Sequence, residues 1–151
     1  MKKLENQIEV LESFVTKHEL INQRISTSSV GWHIEHSLLV INSIIDTLSK
    51  SNQEDYKPAF NWRKQLVFIR KQIPRGKARA PKSVVPSGFD LERLLNHIQK
   101  TKISIKGLSH LHAGQFFKHP GLGHLTLKDT QIFIEIHTNH HLKIIKDIIT
   151  K

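Results

Sequence analysis

The amino-acid sequence predicts an all-α protein, a helical bundle that forms a single domain over residues 1–151. This length is close to that of one ordinary domain and is sufficient to bury a hydrophobic core. Apolar residues recur at helical spacing in five segments, and no segment alternates apolar and polar residues as a half-buried strand does. Helix-capping residues and prolines stand at several segment boundaries. Helices packed against one another are therefore the expected architecture.

The first three helices are predicted from apolar spacing and from residues that begin or end a helix. The first lies within residues 3–21, where leucine, isoleucine and valine recur on one face. The second begins at Val30, directly after the capping sequence STSS, and ends near Lys50. The third spans residues 60–73 and ends before Pro74. Its core-facing residues are expected to be Trp62, Leu66 and Ile69.

Two loops and two helices are predicted for the second half of the chain. A basic, proline-containing loop covers residues 74–86, and the fourth helix begins around Asp90. A glycine- and histidine-rich stretch, residues 107–125, is predicted to be a long ordered loop with room for one short helix. Thr126 to Asp129 has the pattern of a capping box, with Asp at the position usually held by Glu. The last helix follows and runs to the end of the chain.

Composition excludes several classes of protein. The chain has no cysteine, so disulfide scaffolds, thiolate zinc sites, iron–sulfur clusters and cysteine nucleophiles are excluded. The N-terminus carries charges where a secretory signal peptide needs an apolar run. No uncharged apolar run approaches the roughly 20 residues that span a membrane. A soluble cytoplasmic protein with no membrane partner is therefore expected.

Positive charge is concentrated in the middle of the chain. The formal net charge is +10, and residues 57–106 hold 13 basic and 2 acidic residues. The loop of residues 74–86 is the densest part, and its candidate anion-binding residues are Arg75, Lys77 and Arg79. They would bind a phosphate, a carboxylate substrate or nucleic acid; alternatively, the loop is a solvated segment that aids solubility. No nucleic-acid-binding motif accompanies it, so nucleic acid is not the expected partner.

Two of the 11 histidines lie at the middle of the apolar face of the last helix. On a helical wheel, His137 and His141 are one turn apart on that face, and His140 falls on its border. Imidazoles four residues apart can ligate the same metal ion. The alternative is a pair of core histidines, although each ring would then need partners for two nitrogens.

The second helix offers His33 and His36 as a third ligand. A helical wheel places both beside the main apolar stripe and slightly favours His33. The histidines on loops and in the fourth helix are expected mostly at the surface. The residues alone therefore leave the choice between His33 and His36 open.

Several motifs resemble the DinB/YfiT-like superfamily of metalloenzymes. They are W-H-x-x-H at Trp32 to His36, near the start of the second helix, and H-x-x-H-H at His137 to His141, in the last helix. More narrowly, PRGKARAPKS, HPGLG and HTNHHL, in this order, resemble a branch known only as a domain of unknown function. The resemblance covers the chain from about residue 29 to residue 148.

The resemblance implies a four-helix bundle of the DinB/YfiT type with an up-down-down-up course. It also implies one divalent metal ion, nickel or zinc, held near one end of the bundle by His36, His137 and His141. His36 is the ligand on the second helix by this comparison, because it follows the Ser-Val signal at Val30 by six residues. The residues usual after the double histidine are absent, since positions 142–144 are Leu-Lys-Ile.

Two enzymatic functions follow for a centre with three histidines. Three neutral imidazoles leave coordination positions open, which is the layout of a catalytic site, and metal-activated water would make the protein a hydrolase. Relatives in the superfamily imply instead a thiol S-transferase. The substrate would be a small molecule, anionic or a thiol, and a homodimer is compatible with either function.

Further residues are candidates for supporting roles, and one other class of function competes. His33 and His140 are not needed as ligands; each is either a proton shuttle at the rim of the site or a residue that only packs there. Glu35 and Glu135 are candidate acceptors for the ring N–H groups of the ligands, although their helix positions place both closer to the polar side. The competing class is a non-enzymatic module that binds an anion or nucleic acid through the loop of residues 74–86.

Overall fold

The structure is a computed structural model that describes residues 2–76 and 80–151. Most of these residues belong to five α-helices, and the others form short 3₁₀ turns, loops and a small β-sheet. The helices are α1 (Lys2–Ser13), α2 (Val30–Lys50), α3 (Trp62–Arg70), α4 (Leu91–Gly107) and α5 (Leu127–Thr150). The strands are β1 (Phe116–His119) and β2 (Gly123–Thr126). None of these helices has both the length and the apolar composition needed to cross a membrane.

The four longest helices enclose one hydrophobic core. Helix α2 packs against α5 and α4, and α1 packs against the same two helices. Consequently α2 has two buried sides rather than one. All four helices contribute fully buried side chains, among them Ile8, Leu11, Leu38, Ile41, Ile98 and Ile134.

Side-chain caps fix where α2 and α5 begin, and these helices carry the candidate ligands. Ser29 Oγ accepts a hydrogen bond from the backbone N–H of Trp32 at 3.2 Å, and Thr126 Oγ1 accepts one from Asp129 at 3.1 Å. Each bond satisfies an amide that the start of a helix leaves without a partner. The predicted start at Val30 and the predicted cap at Thr126 are therefore confirmed.

The first helix is shorter than predicted. Helix α1 ends at Ser13, whose hydroxyl donates to the carbonyl of Val10 at 2.7 Å. A serine bonded in this way offers the backbone an alternative to continued helix. The chain goes on as a 3₁₀ turn over Val15–Lys17, so the predicted span of residues 3–21 extends too far at its C-terminal end.

Strands β1 and β2 form an antiparallel hairpin, so the prediction of a purely all-α protein is wrong. The register places His119 opposite Gly123. His119 also holds the turn, because its Nδ1 accepts from the backbone N–H groups of Gly121 and Leu122, both at 3.0 Å. Gly123 has a φ of 76°, which favours glycine. Strands of four residues are too short to give a readable alternation in the sequence.

Helix α3 does not face the core with the predicted residues. Trp62, Leu66 and Ile69 are 59%, 40% and 76% exposed, so the prediction that they point inward is wrong. The half-buried Val67 and Phe68 pack against the core instead, on the side where α3 meets α5. Apolar residues occur on both sides of this nine-residue helix, and periodicity alone does not identify the side that is buried.

Candidate metal centre

Three histidines from two helices meet where α2 packs against α5. His36 lies in the second turn of α2, and His137 and His141 lie one turn apart on α5. One ring nitrogen of each histidine lies within 4.8 Å of those of the other two. The structure thus brings together the three residues that the family resemblance implied as ligands.

His36 is held by a backbone carbonyl and by an aromatic ring. Its Nδ1–H donates to the carbonyl oxygen of Val84 at 2.8 Å, so the proton is on Nδ1 and Nε2 is available as a ligand. The indole of Trp32 stacks on the imidazole, with 4.9 Å between ring centroids and 14° between the planes. Val84 ends a 3₁₀ turn, Lys82–Val84, which belongs to the basic loop. The loop therefore contacts the histidine centre.

His141 belongs to a buried chain of hydrogen bonds. Its Nδ1 lies 2.9 Å from Nδ1 of His33, and Nε2 of His33 lies 3.0 Å from Oγ of Ser26. Two ring nitrogens in a hydrogen bond share one proton. If His141 were to ligate an ion through Nε2, that proton would be on its own Nδ1, and His33 would accept it and donate Nε2–H to Ser26. In this arrangement His33 is the partner of a ligand, whereas the helical wheel favoured it as a ligand.

His137 lacks comparable support. Its Nδ1 is buried and has no hydrogen-bond partner among the described residues. The ring packs between Phe133 and His141, at centroid distances of 5.9 Å and 4.6 Å. A buried polar group without a partner costs about 1–3 kcal/mol. A bound ion, ligand or water at this nitrogen would remove that cost.

Burial keeps the imidazoles of the centre uncharged. It lowers the pKa of His36, and it lowers the pKa of His137 and His141 well below the usual range, with repulsion from neighbouring histidines adding to the effect at the latter two. Burial also lowers the pKa of His33 to about 4. At neutral pH these rings are therefore neutral, which is the state that a metal ligand requires.

The donor set fits a divalent metal ion. Zinc–imidazole bonds of about 2.0–2.1 Å in tetrahedral geometry place the ligand nitrogens about 3.3 Å apart. The nitrogens lie within 4.8 Å of one another, so binding of an ion requires them to move closer together by up to about 1.5 Å. Imidazole suits both zinc and nickel. Three protein ligands leave a position for water or substrate, as catalytic sites do.

Other residues that the sequence suggested for the site have different neighbours. Glu35 accepts a hydrogen bond from a histidine of α4 at 2.9 Å, and Glu135 accepts one from a lysine of α1 at 2.8 Å. Neither glutamate hydrogen-bonds to a candidate ligand, in agreement with their expected position closer to the polar side of each helix. His140 does lie beside the centre, with 5.1 Å between its ring centroid and that of His141.

Of the three predicted anion-binding residues, the structure describes Arg75. Its guanidinium lies 2.8 Å from a carboxylate oxygen of Asp147 on α5. Arg75 also lines a cavity together with His140. Lys77 and Arg79 lie outside the described residues.

Three groups that support the centre were not identified from the sequence. They are the indole of Trp32, the carbonyl of Val84 and the hydroxyl of Ser26. Trp32 had a signal, because it directly precedes the two histidines of the second helix. A backbone carbonyl carries no sequence signal, and Ser26 reads as one of several capping residues.

Comparisons with known proteins add no relative. No protein-family model, no curated protein and no solved structure matches the chain. The resemblance to DinB/YfiT-like proteins therefore depends on the sequence motifs alone.

Proposed function

We propose that the protein is a metal-dependent enzyme of the DinB/YfiT type, in which His36, His137 and His141 hold one divalent ion, zinc or nickel. The observation that carries this proposal is the convergence of three neutral imidazoles within 4.8 Å, one of them with a buried nitrogen that lacks a partner. Polar rings are costly to bury, so a purely structural core would favour apolar side chains here. Four long helices around one core are also consistent with the bundle of that superfamily.

The surrounding residues orient the ligands. The carbonyl of Val84 and the ring of His33 accept the Nδ1–H groups of His36 and His141, which leaves Nε2 of both rings free for the ion. Trp32 covers one face of His36 and keeps water from it. The ion, when bound, supplies Lewis acidity at its open positions.

Hydrolysis and thiol S-transfer are the two reactions proposed for this centre, and both need a nearby proton acceptor. Among the described residues, no carboxylate hydrogen-bonds to a candidate ligand. His140 is the neighbouring imidazole, and burial lowers its pKa, so it is neutral and able to accept a proton at pH 7. The chain has no cysteine, so the thiol of an S-transfer comes with the substrate.

Tryptophan fluorescence tests the ligand set. The chain has two tryptophans, of which Trp32 stacks on His36 and Trp62 is exposed on α3. In a Trp62→Phe background, Ni²⁺ or Co²⁺ should quench Trp32 at one ion per chain, because an open-shell ion next to the indole quenches its emission. His137→Ala should abolish this quenching. His110→Ala, which replaces an exposed histidine, should leave it unchanged.

Elemental analysis provides the second test. The purified protein should contain about one zinc or nickel ion per chain and lose it to a chelator.

Quenching of Trp32 fluorescence at one ion per chain in the His137→Ala variant would contradict the proposed ligand set. Absence of metal together with measurable anion binding would favour the non-enzymatic module, and a steep salt dependence would then identify nucleic acid as its ligand.

A further inference from the structure

A cavity of about 310 Å³ lies beside the histidine centre, between the end of α3 and the middle of α5. Its wall combines residues that follow α3, including Lys71 and Arg75, with Asn139, His140 and Lys143 of α5. This volume is at the lower end of the range for small-molecule pockets, about 300–1,000 Å³. It can hold a small organic molecule or an inorganic anion with its water.

The charges around this cavity have one sign. Lys71, Arg75 and Lys143 are cationic, and none of the described residues that line the cavity carries a carboxylate. Asp147 lies outside the lining and binds Arg75 through one terminal nitrogen at 2.8 Å. A guanidinium has five N–H donors, so this ion pair orients the side chain and leaves donors for an anion.

Lys71 adopts a backbone conformation that lysine rarely adopts. It ends α3 with φ 49° and ψ 37°, in the left-handed region that favours glycine at this position of a helix. Strained residues of this kind cluster at ligand-binding sites. A lysine in place of the favoured glycine keeps a third cation on the cavity wall.

His140 joins the cavity to the metal centre. It lines the cavity, and its ring lies edge-on to that of His141, with 5.1 Å between centroids and 85° between planes. A molecule held by the cations at one end is thus one imidazole away from a candidate metal ligand at the other.

We propose that this cavity binds the carboxylate or phosphate group of a small substrate and directs the rest of that molecule toward the metal centre. The substrate class is therefore a small organic anion. This inference depends on the proposed function for the role of the metal, whereas the binding of the anion itself does not.

Calorimetric titration with inorganic phosphate, and separately with succinate, tests the inference on the full chain at constant ionic strength. Both the zinc-loaded and the chelator-treated protein are titrated, and the metal content of every variant is measured. The test variant is Lys143→Gln, and the matched control is Lys146→Gln, which removes the same charge from the same helix outside the cavity lining.

The expected result is one bound anion per chain in both forms of the protein. Lys143→Gln should weaken its binding about tenfold, the usual size of one charge-assisted hydrogen bond. Lys146→Gln should change the affinity less than twofold, and both variants should keep the wild-type metal content. The tighter of the two probes identifies the anionic group as phosphate or carboxylate.

Three results would overturn the inference. The first is that no anion binds, and the second is that the two lysine variants weaken binding equally. The third is anion binding that needs zinc and is insensitive to Lys143→Gln, because the anion would then bind to the metal ion rather than to the cavity. If the wild-type protein binds the anion but holds no metal ion, the proposed function is contradicted. The assignment of the cavity as an anion-binding site is then unaffected.

Discussion

Replacing His137 with leucine should stabilise the metal-free protein and remove its stabilisation by zinc. The side chain packs between Phe133 and His141, and its buried Nδ1 has no partner among the described residues. Leucine has a similar volume and no polar atom, so it fills the same space without that cost. The expected gain in the free energy of unfolding is about 1–3 kcal/mol in the presence of a chelator.

Zinc should reverse the order of stability, so that wild type becomes more stable than the His137→Leu variant. A ligand at one thousand times its dissociation constant stabilises the folded state by about 4.1 kcal/mol. The leucine variant keeps two of the three candidate ligands and should gain little of this. In zinc, wild type should therefore be more stable than the variant by about 1–3 kcal/mol, the difference between the two effects.

Urea unfolding at pH 7.5, with chelator and with zinc, measures both quantities. With slopes of about 1–3 kcal/mol per molar urea, the expected shifts move the midpoint by about 1 M. His110→Leu is the control, because it removes an exposed histidine and should change the stability by less than about 0.5 kcal/mol. If the leucine variant is less stable than wild type in chelator, His137 is a satisfied core residue. If zinc stabilises both proteins equally, it is not a ligand.

Three further outcomes follow from individual residues. The pKa of His33 falls from 6.5 in the unfolded chain to about 4 in the folded one, so between these values the unfolded chain binds one more proton at this group. The contribution of His33 to the stability of the metal-free protein is the part of the pH dependence that a His33→Gln variant loses, measured by urea unfolding across pH. It should be constant above pH 6.5 and fall by about 1.4 kcal/mol per pH unit between pH 6.5 and 4, in addition to the effects of the other buried histidines. Lys71→Gly should raise the free energy of unfolding by about 0.5–1 kcal/mol, since it relieves the left-handed conformation; no change in urea midpoint would mean the lysine is unstrained. Gly31→Ala should lower the free energy of unfolding, measured by thermal unfolding, by about 1–3 kcal/mol, because a Cβ at this position would meet the ring of Phe89. At Gly107 a Cβ has open space, so Gly107→Ala should raise the free energy of unfolding by about 0.4–1 kcal/mol.

The last helix was predictable in detail because its signals are local. The cap at Thr126 and the stripe that contains His137 and His141 both depend on residues within a few positions of each other. A helical wheel captures such relations, since they follow from the geometry of one helix. The half of the candidate site on α5 could therefore be predicted from the residues alone.

The half of the candidate site on α2 could not be predicted from the residues alone. A wheel finds the average direction of the apolar residues, and α2 is buried against both α5 and α4. The average of two buried sides points between them and does not identify the side that faces α5. His33 and His36 are both buried on this helix, so only the packing, or a family motif, distinguishes His36, the candidate ligand, from His33, which hydrogen-bonds to His141.

Long-range contacts account for the remaining differences. The side of α3 that is buried depends on its contact with α5, and the carbonyl of Val84 reaches His36 from 48 positions away. The hairpin is held by a histidine side chain that bonds two backbone amides of its turn. Propensity and periodicity describe neighbours in the sequence and contain no information about these partners.

The pattern of free nitrogens distinguishes a binding site from a polar core. In a structural core, each buried ring would use both nitrogens, as His33 does with His141 and Ser26. His36 and His141 each use Nδ1 alone, and the buried Nδ1 of His137 has no partner among the described residues. Each of these three rings therefore has a nitrogen without a partner among the described residues, and one nitrogen of each lies within 4.8 Å of those of the other two. Nitrogens that lack partners and lie this close together favour one shared ligand, and the neutral state of the rings favours a cation.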